Sequence, residues 1–171
     1  AKGSMLRCHT LPPVGGDTMF CNMFKAWDGL SPALQSLLDG RNALHDMAIS
    51  RETQKVRTPE QIADIRRRNP PVWQPIARRH DDTDRRALYV SEMTTVRIEG
   101  LHEGESDAIL AYLYAHSTVP ENVYRHRWQV GDLLLWDNRS AMHIALADYD
   151  QNATRIMYRT TLLGEPSGTI A

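Results

Sequence analysis

The chain has 171 residues, 42% hydrophobic and 24% charged, with a formal net charge of −1 at pH 7. That length suits one domain with a sizeable core, and the balance reads as soluble and globular, not disordered. Near-neutral charge gives no general pull toward nucleic acid or anionic membranes, and no apolar run approaches the roughly 18 residues of a membrane span.

In chain order, GSMLRCHTL reads as a strand entered midway, and PPVGGDT as a turn. NMFKAWDGL reads as a short amphipathic helix. Ser31 and Pro32 open a second helix, SPALQSLLDG, since serine caps and proline suits the first helical position; Gly40 closes it. NALHDMAI is strand-like. Thr58, Pro59 and Gln61 carry a capping-box pattern for a helix running to about Arg68. Residues 51–86 hold ten Lys+Arg against six Asp+Glu with only Trp73 among them, so they read as a solvated, mobile surface and not a nucleic-acid patch.

Strands follow. VWQPIAR and ALYVSEM flank RHDDTDR, a hairpin turn, and TTVRIEGL is a third. ESDAILAYLYAHS has Ile109, Leu110, Leu113 and Tyr114 at helical spacing. YRHRWQV, DLLLWD, MHIAL and RIMYRTTLL complete the set, with a tight turn at Gly131-Asp132. Many short strands with a few helices predict a barrel or sandwich with helical insertions, in a single domain over 1–171. Cys8 and Cys21 make no disulfide framework and fit a reducing compartment. The start, AKGSMLRCHTLPP, lacks the apolar stretch of a signal peptide, so the expected location is cytoplasmic.

The chemistry gathers near the end. His143 is followed after twelve and sixteen residues by Arg155 and Arg159. Arg155, Met157 and Arg159 share one face of a strand, because side chains alternate with period two. Two adjacent guanidiniums repel unless each meets an anion or a carboxylate. Two arginines on an exposed sheet face are the plain alternative.

GGDT at 15–18, ALYVSEM at 87–93, RHRWQVGDLLLWDNRSAMHIALADYD at 125–150 and RIMYRTTLLGEP at 155–166 together resemble the taurine dioxygenase and chlorophenoxyacetate dioxygenase family. The resemblance runs through the whole chain in order. It implies a mainly β fold with helices, a double-stranded β-helix or distorted jelly roll of the cupin-like kind. It implies an oxidoreductase using Fe(II), 2-oxoglutarate and O2 to hydroxylate a small, anionic substrate, with succinate and CO2 released. The family binds iron by two histidines and one carboxylate.

Carried over by position, His143 resembles the distal metal-binding histidine. Arg155 resembles the arginine that grips the far carboxylate of 2-oxoglutarate, for which a planar guanidinium is suited. Thr18 resembles the hydroxyl donating to that carboxylate, and Trp136 an indole lining its pocket. Arg159 resembles a second arginine that binds an anionic substrate. Asp137, Asn138 and Arg139 read as a hydrogen-bonding turn. A zinc or cupin-type isomerase would share the barrel but has no reason for both arginines and GGDT.

One departure is sharp. The family's other two metal ligands form an H-x-D motif upstream of the GGDT threonine, a place that falls before residue 1. The literal H-x-D at His80-Asp81-Asp82 lies in an acidic turn after GGDT, so it reads as turn chemistry. The expectation is that the chain is the C-terminal portion of a longer oxygenase, catalytic in complete form. The competing reading is a truncated, non-catalytic remnant that binds an anion or a partner. Segment 50–72 is expected to be a mobile lid, and a homo-oligomer is a state the resemblance allows.

Overall fold

The computed structural model describes residues 1–49, 57–165 and 167–171. In chain order the elements are β1 (Gly3–Thr10), β2 (Thr18–Asn22), α1 (Met23–Asp28), α2 (Pro32–Leu38), β3 (Asn42–His45), α3 (Pro59–Arg68), β4 (Val72–Pro75), β5 (Ala77–Arg79), β6 (Arg86–Leu88), β7 (Thr95–Ile98), α4 (Glu103–Ser117), β8 (Val123–His126), β9 (Leu133–Asp137), β10 (Ala141–Ala145), β11 (Ile156–Leu162) and β12 (Thr169–Ile170). The described residues are strand-rich with four α-helices, as the sequence predicts. They fall into two compact units, residues 1–23 with 118–166, and residues 24–117 with 167–171.

The first unit holds two three-stranded antiparallel sheets, in the orders β11-β1-β9 and β10-β2-β8. Every neighbour in these sheets is distant in sequence, the interleaved order of a jelly roll. In β1, Leu6 faces Arg159 on one side and Leu134 on the other, so these three side chains share a face. Ser4, with Thr161 and Trp136, lies on that same face, and Cys8 with Met157 continues it. Ser4, Cys8 and Trp136 are buried, whereas Leu133, Leu135 and Tyr158 on the opposite face are exposed.

The second unit packs the antiparallel sheet β12-β4-β3-β7 with α4 beside β7. Its core is Leu38, Ile76, Leu88, Ile98, Leu110 and Leu113, all essentially removed from water. Leu110, Leu113 and Tyr114 are buried on α4 as its sequence predicts, with Ser106 and Ser117 beside them, while Ile109, expected in the same stripe, is half-buried. Its Tyr114 hydroxyl donates to the Thr95 carbonyl at 3.0 Å, and Ser106 Oγ accepts the Ile98 N–H at 2.8 Å.

The helix starts follow their sequence signals. Ser31 caps α2 with Pro32 in its first turn. Thr58 and Gln61 close the reciprocal capping box of α3. Of the segment expected to be a lid, residues 50–56 lie outside the described residues, and α3 fills most of the remainder. Asp46 is buried and is paired by Arg66 of α3 at 2.8 Å.

Three of the differences from the sequence reading concern strands near the turns. TMFCN is a strand whose alternation is short enough to be lost between the glycine turn and the helix at Met23. VWQPIAR is not one strand; it breaks at the fully buried Ile76, and β5 pairs with β6 as a hairpin across Arg79–Arg86. Only Leu88 and the two residues before it form β6, so YVSEM leaves the ladder. His80 is buried at this hairpin, its ring nitrogen engaged by Asp82 N–H and the Thr83 hydroxyl, in agreement with the turn reading of His80-Asp81-Asp82.

His45 sits beside Tyr89, with Nδ1 near the hydroxyls of Thr94 and Thr95 and Nε2 buried without a partner among the described residues. Burial pushes its pKa down from 6.5 to about 4. The unfolded chain therefore takes up this proton first, so stability is unaffected above about pH 6.5 and lost as pH falls toward 4. Urea denaturation of the wild type is expected to weaken over that window by up to about 1.4 kcal/mol per pH unit relative to His45→Gln. Parallel pH profiles of the two proteins would refute it.

Candidate anion-binding and metal-ligand site

The site lies in the first unit, where the two sheets meet through aromatic rings. Phe20 of β2 packs edge-on to Trp136 of β9, with centroids 5.1 Å apart. His143 of β10 lies 4.8 Å from Trp136 and stacks 6.0 Å from Phe20. Register explains the grouping. Phe20 is directly opposite His143, and Thr18, two residues earlier, is opposite Ala145, so Thr18, Phe20 and His143 share a face.

The loop between β9 and β10 aims Trp136 and His143. Arg139 is buried and grips its own loop: its backbone N–H and Nε reach Asp137 Oδ1 at 2.8 and 2.9 Å, and Nη2 reaches Oδ2 at 2.6 Å. Asn138 N–H donates to the Lys2 carbonyl at 3.0 Å, and its amide donates to Ser4 Oγ at 3.0 Å. The three residues form a hydrogen-bonded turn that ties β9 and β10 to β1.

Thr18 is buried at the head of β2. Its Oγ1 accepts the indole N–H of Trp128 at 3.0 Å, which leaves its own proton to donate. The preceding turn has both glycines at positive φ, Gly15 at 79° and Gly16 at 78°. The Gly16 carbonyl accepts Arg155 Nε at 3.1 Å, and the Gly16 N–H donates to Asp148 Oδ1 at 2.8 Å. Arg125 joins the assembly, with Nε to Asp17 Oδ2 at 2.7 Å and Nη2 to Asp148 Oδ2 at 3.1 Å. The Gly16 N–H, and beyond it the Arg125 guanidinium, holds the Asp148 carboxyl below the usual range.

In the first unit two buried donors have no partner among the described residues: Arg155 Nη2 and Trp136 Nε1. Leaving a buried N–H unmet costs about 1–3 kcal/mol, more for a charged group. Such donors suit a ligand that brings acceptors, and the Thr18 hydroxyl offers a third. Arg159 faces the side of Leu6 and Leu134, close enough to act electrostatically on His143. His143 is exposed by area, yet its two ring neighbours strip part of its hydration. That desolvation first, and then the charge of Arg159, lowers its pKa below 6.5, so the imidazole is neutral at neutral pH.

Thr18 of β2, Trp136 of β9, His143 of β10, Arg159 of β11 and Arg155, the residue just before β11, are thus all brought into the first unit. No group of three or more His, Cys, Asp or Glu among the described residues is placed to hold a metal. The sequence reading did not single out Phe20, Trp128, Arg125 or Asp148 as parts of the site. Phe20 was reachable, being two residues beyond Thr18, had TMFCN been read as a strand. The Asp148–Gly16 contact spans 132 residues and has no local signal.

The profile of the "Taurine catabolism dioxygenase TauD, TfdA family" matches residues 1–161. The alpha-ketoglutarate-dependent 2,4-dichlorophenoxyacetate dioxygenase of Cupriavidus pinatubonensis is 40% identical over 165 residues, covering 96% of this chain and 56% of the relative. The alpha-ketoglutarate-dependent sulfate ester dioxygenase of Pseudomonas putida is 33% identical, covering 96% of this chain and 56% of its own. Among solved structures, a taurine dioxygenase from Burkholderia xenovorans superposes with a TM-score of 0.81 at 34% identity, covering 98% of this chain and 54% of that one. AAD-2 in complex with Mn(II) and N-oxalylglycine does so at 0.87 and 32%, covering 99% and 66%. The chain spans about half the length of the curated relatives it matches.

A Cβ on Gly15 would stand 2.5 Å from the Asp148 carbonyl oxygen, so Gly15→Ala combines a left-handed backbone with a clash. It is expected to destabilise the protein by about 2–3 kcal/mol. Gly131→Ala, at φ 97° with nothing within 4 Å, is the control and is expected to cost about 1 kcal/mol. Equal urea midpoints for the two variants would refute the close packing of Asp148 on the turn.

Proposed function

The chain belongs to the TauD/TfdA dioxygenase family, and from that premise we propose that it carries the cosubstrate pocket of an Fe(II)- and 2-oxoglutarate-dependent dioxygenase acting on a small anionic substrate. Residues 1–171 then form the C-terminal portion of one oxygenase domain. The observation that carries the reading is the pair of unmet buried donors, Arg155 Nη2 and Trp136 Nε1, together with the free proton of Thr18.

A dicarboxylate answers those donors. With Nε held by the Gly16 carbonyl, Arg155 keeps its terminal nitrogens for the distal carboxylate of 2-oxoglutarate. Thr18 donates to the same group, its hydroxyl oriented by the Trp128 N–H. Trp136 and Phe20 are buried and pack on each other, and beside the bound dicarboxylate they would keep water away and strengthen its charge-assisted bonds. His143, neutral at neutral pH, keeps a ring lone pair for a metal ion. Arg159 binds the anionic group of the substrate, in keeping with relatives named for a phenoxyacetate and a sulfate ester.

Iron and 2-oxoglutarate, when bound, would supply the oxidising chemistry of an O2-dependent hydroxylation that releases succinate and CO2. The described residues do not by themselves fit the iron, because His143 lacks two companions. In this reading they come from outside the 171 residues, in line with the share of the relatives covered. That same lack favours the second reading, a non-catalytic remnant that binds an anion. Cys8 and Cys21 are buried and form no disulfide among the described residues, which suits a reducing compartment, and the proposed location is the cytoplasm.

Calorimetric titration of 2-oxoglutarate into the chain tests the pocket. Arg155→Met is expected to weaken binding by about 100-fold, the worth of two charge-assisted bonds, and Thr18→Val by about tenfold. Equal affinity in wild type and Arg155→Met would refute the pocket. Iron-dependent release of succinate by a protein that includes upstream sequence separates the oxygenase from the remnant.

A further inference from the structure

Taking Arg155 as the grip on the cosubstrate, we propose that Asp148 is its positioning residue: Asp148 locks the Gly15-Gly16 turn, and the turn sets the guanidinium. Gly16 is the joint, giving its N–H to Asp148 Oδ1 at 2.8 Å and its carbonyl to Arg155 Nε at 3.1 Å. The other oxygen of Asp148 is taken by Arg125 Nη2, whose Nε reaches on to Asp17. The turn is therefore held at Gly16 and at the residue that follows it. Asp17 is also tied through its carbonyl to the Leu146 N–H at 2.8 Å, next to Thr18. One brace thus orders both the hydroxyl and the guanidinium that face the dicarboxylate.

Stability does not account for the brace. The side chains of Arg125 and Asp148 are 46% and 44% exposed, and exposed ion pairs add little to folding. Geometry does account for it. Arg155 is a long side chain whose buried Nη2 has no partner among the described residues, and its Nε bond to Gly16 is the contact that fixes its direction. Gly15 lies so close to Asp148 that a Cβ there would stand 2.7 Å from Oδ1, so a shift of either moves the other. A free guanidinium would have to be ordered when the ligand binds, and that cost appears as lost affinity.

The test uses the chain with 2-oxoglutarate as the probe, and also the Arg155 Nε–H resonance without ligand, assigned by its loss in Arg155→Lys. Asp148→Ala is expected to weaken 2-oxoglutarate binding by about tenfold and to speed exchange of the Arg155 Nε–H. Asp148→Asn keeps an oxygen for the Gly16 N–H and is expected to restore most of both. Arg125→Met, on the exposed side, is expected to weaken binding by about threefold, and it serves if Asp148→Ala does not fold. Wild-type affinity and an unchanged Nε–H signal in both Asp148→Ala and Arg125→Met would overturn the proposal. If the wild type binds no 2-oxoglutarate while the Arg155 signal still responds to Asp148, the pocket reading fails and the positioning stands.

Discussion

The contact among Phe20, Trp136 and His143 joins the two sheets of the first unit, and the candidate site depends on it. Each ring comes from a different strand, β2, β9 and β10. Edge-on and stacked ring pairs are worth about 0.5–1.5 kcal/mol each beyond their buried area. Their larger effect is geometric. They hold a neutral imidazole, a buried indole N–H and the inner face of β2 together, so that Thr18 reaches the same interior. Remove the rings and the polar groups of the site would be strung along separate sheets.

Around those rings three arginines of the unit are met in different ways. Arg139 is buried and is met on several sides by Asp137, so it serves a turn. Arg125 is shared between Asp17 and Asp148. Arg155 differs from both, held at Nε by a carbonyl, with Nη2 buried and unmet among the described residues. An arginine whose direction is fixed but whose buried Nη2 is unmet is poised for an acceptor from outside the protein. That contrast between Arg139 and Arg155 could not be drawn from two arginines in a sequence. Either could have been the turn residue.

Much of the local structure was legible. The Thr58-Pro59-Gln61 capping box, the Ser31-Pro32 helix start, the buried stripe of α4 and the hairpin at His80–Arg85 all rest on interactions within a few residues, and the sequence writes them out directly. The strand TMFCN was missed for an equally physical reason. Five residues carry barely two periods of alternation, and the pattern merges with the helix that follows. DLLLWD showed the limit of patterning in another way. Apolar residues occupy both faces of β9, so the sequence announced a strand without saying that Trp136 turns inward while Leu133 and Leu135 face out.

The amino-acid order alone determined the family, through WDNR-x-x-x-H-x-A-x-x-D-Y followed by R-x-x-x-R with GGDT far upstream, and through it the jelly-roll fold. Spacing along a strand also determined that Met157 and Arg159 share a side, because the period of two is a property of the backbone itself; Arg155, which the same spacing places with them, precedes β11. Tertiary structure decided what the side faces. It brought Gly16 to Asp148 across 132 residues, set Trp128 on the Thr18 hydroxyl and left Arg155 Nη2 unmet. Those outcomes hang on the register of non-adjacent strands. Register is set by the packing of both sheets at once, and no short stretch of the chain encodes it.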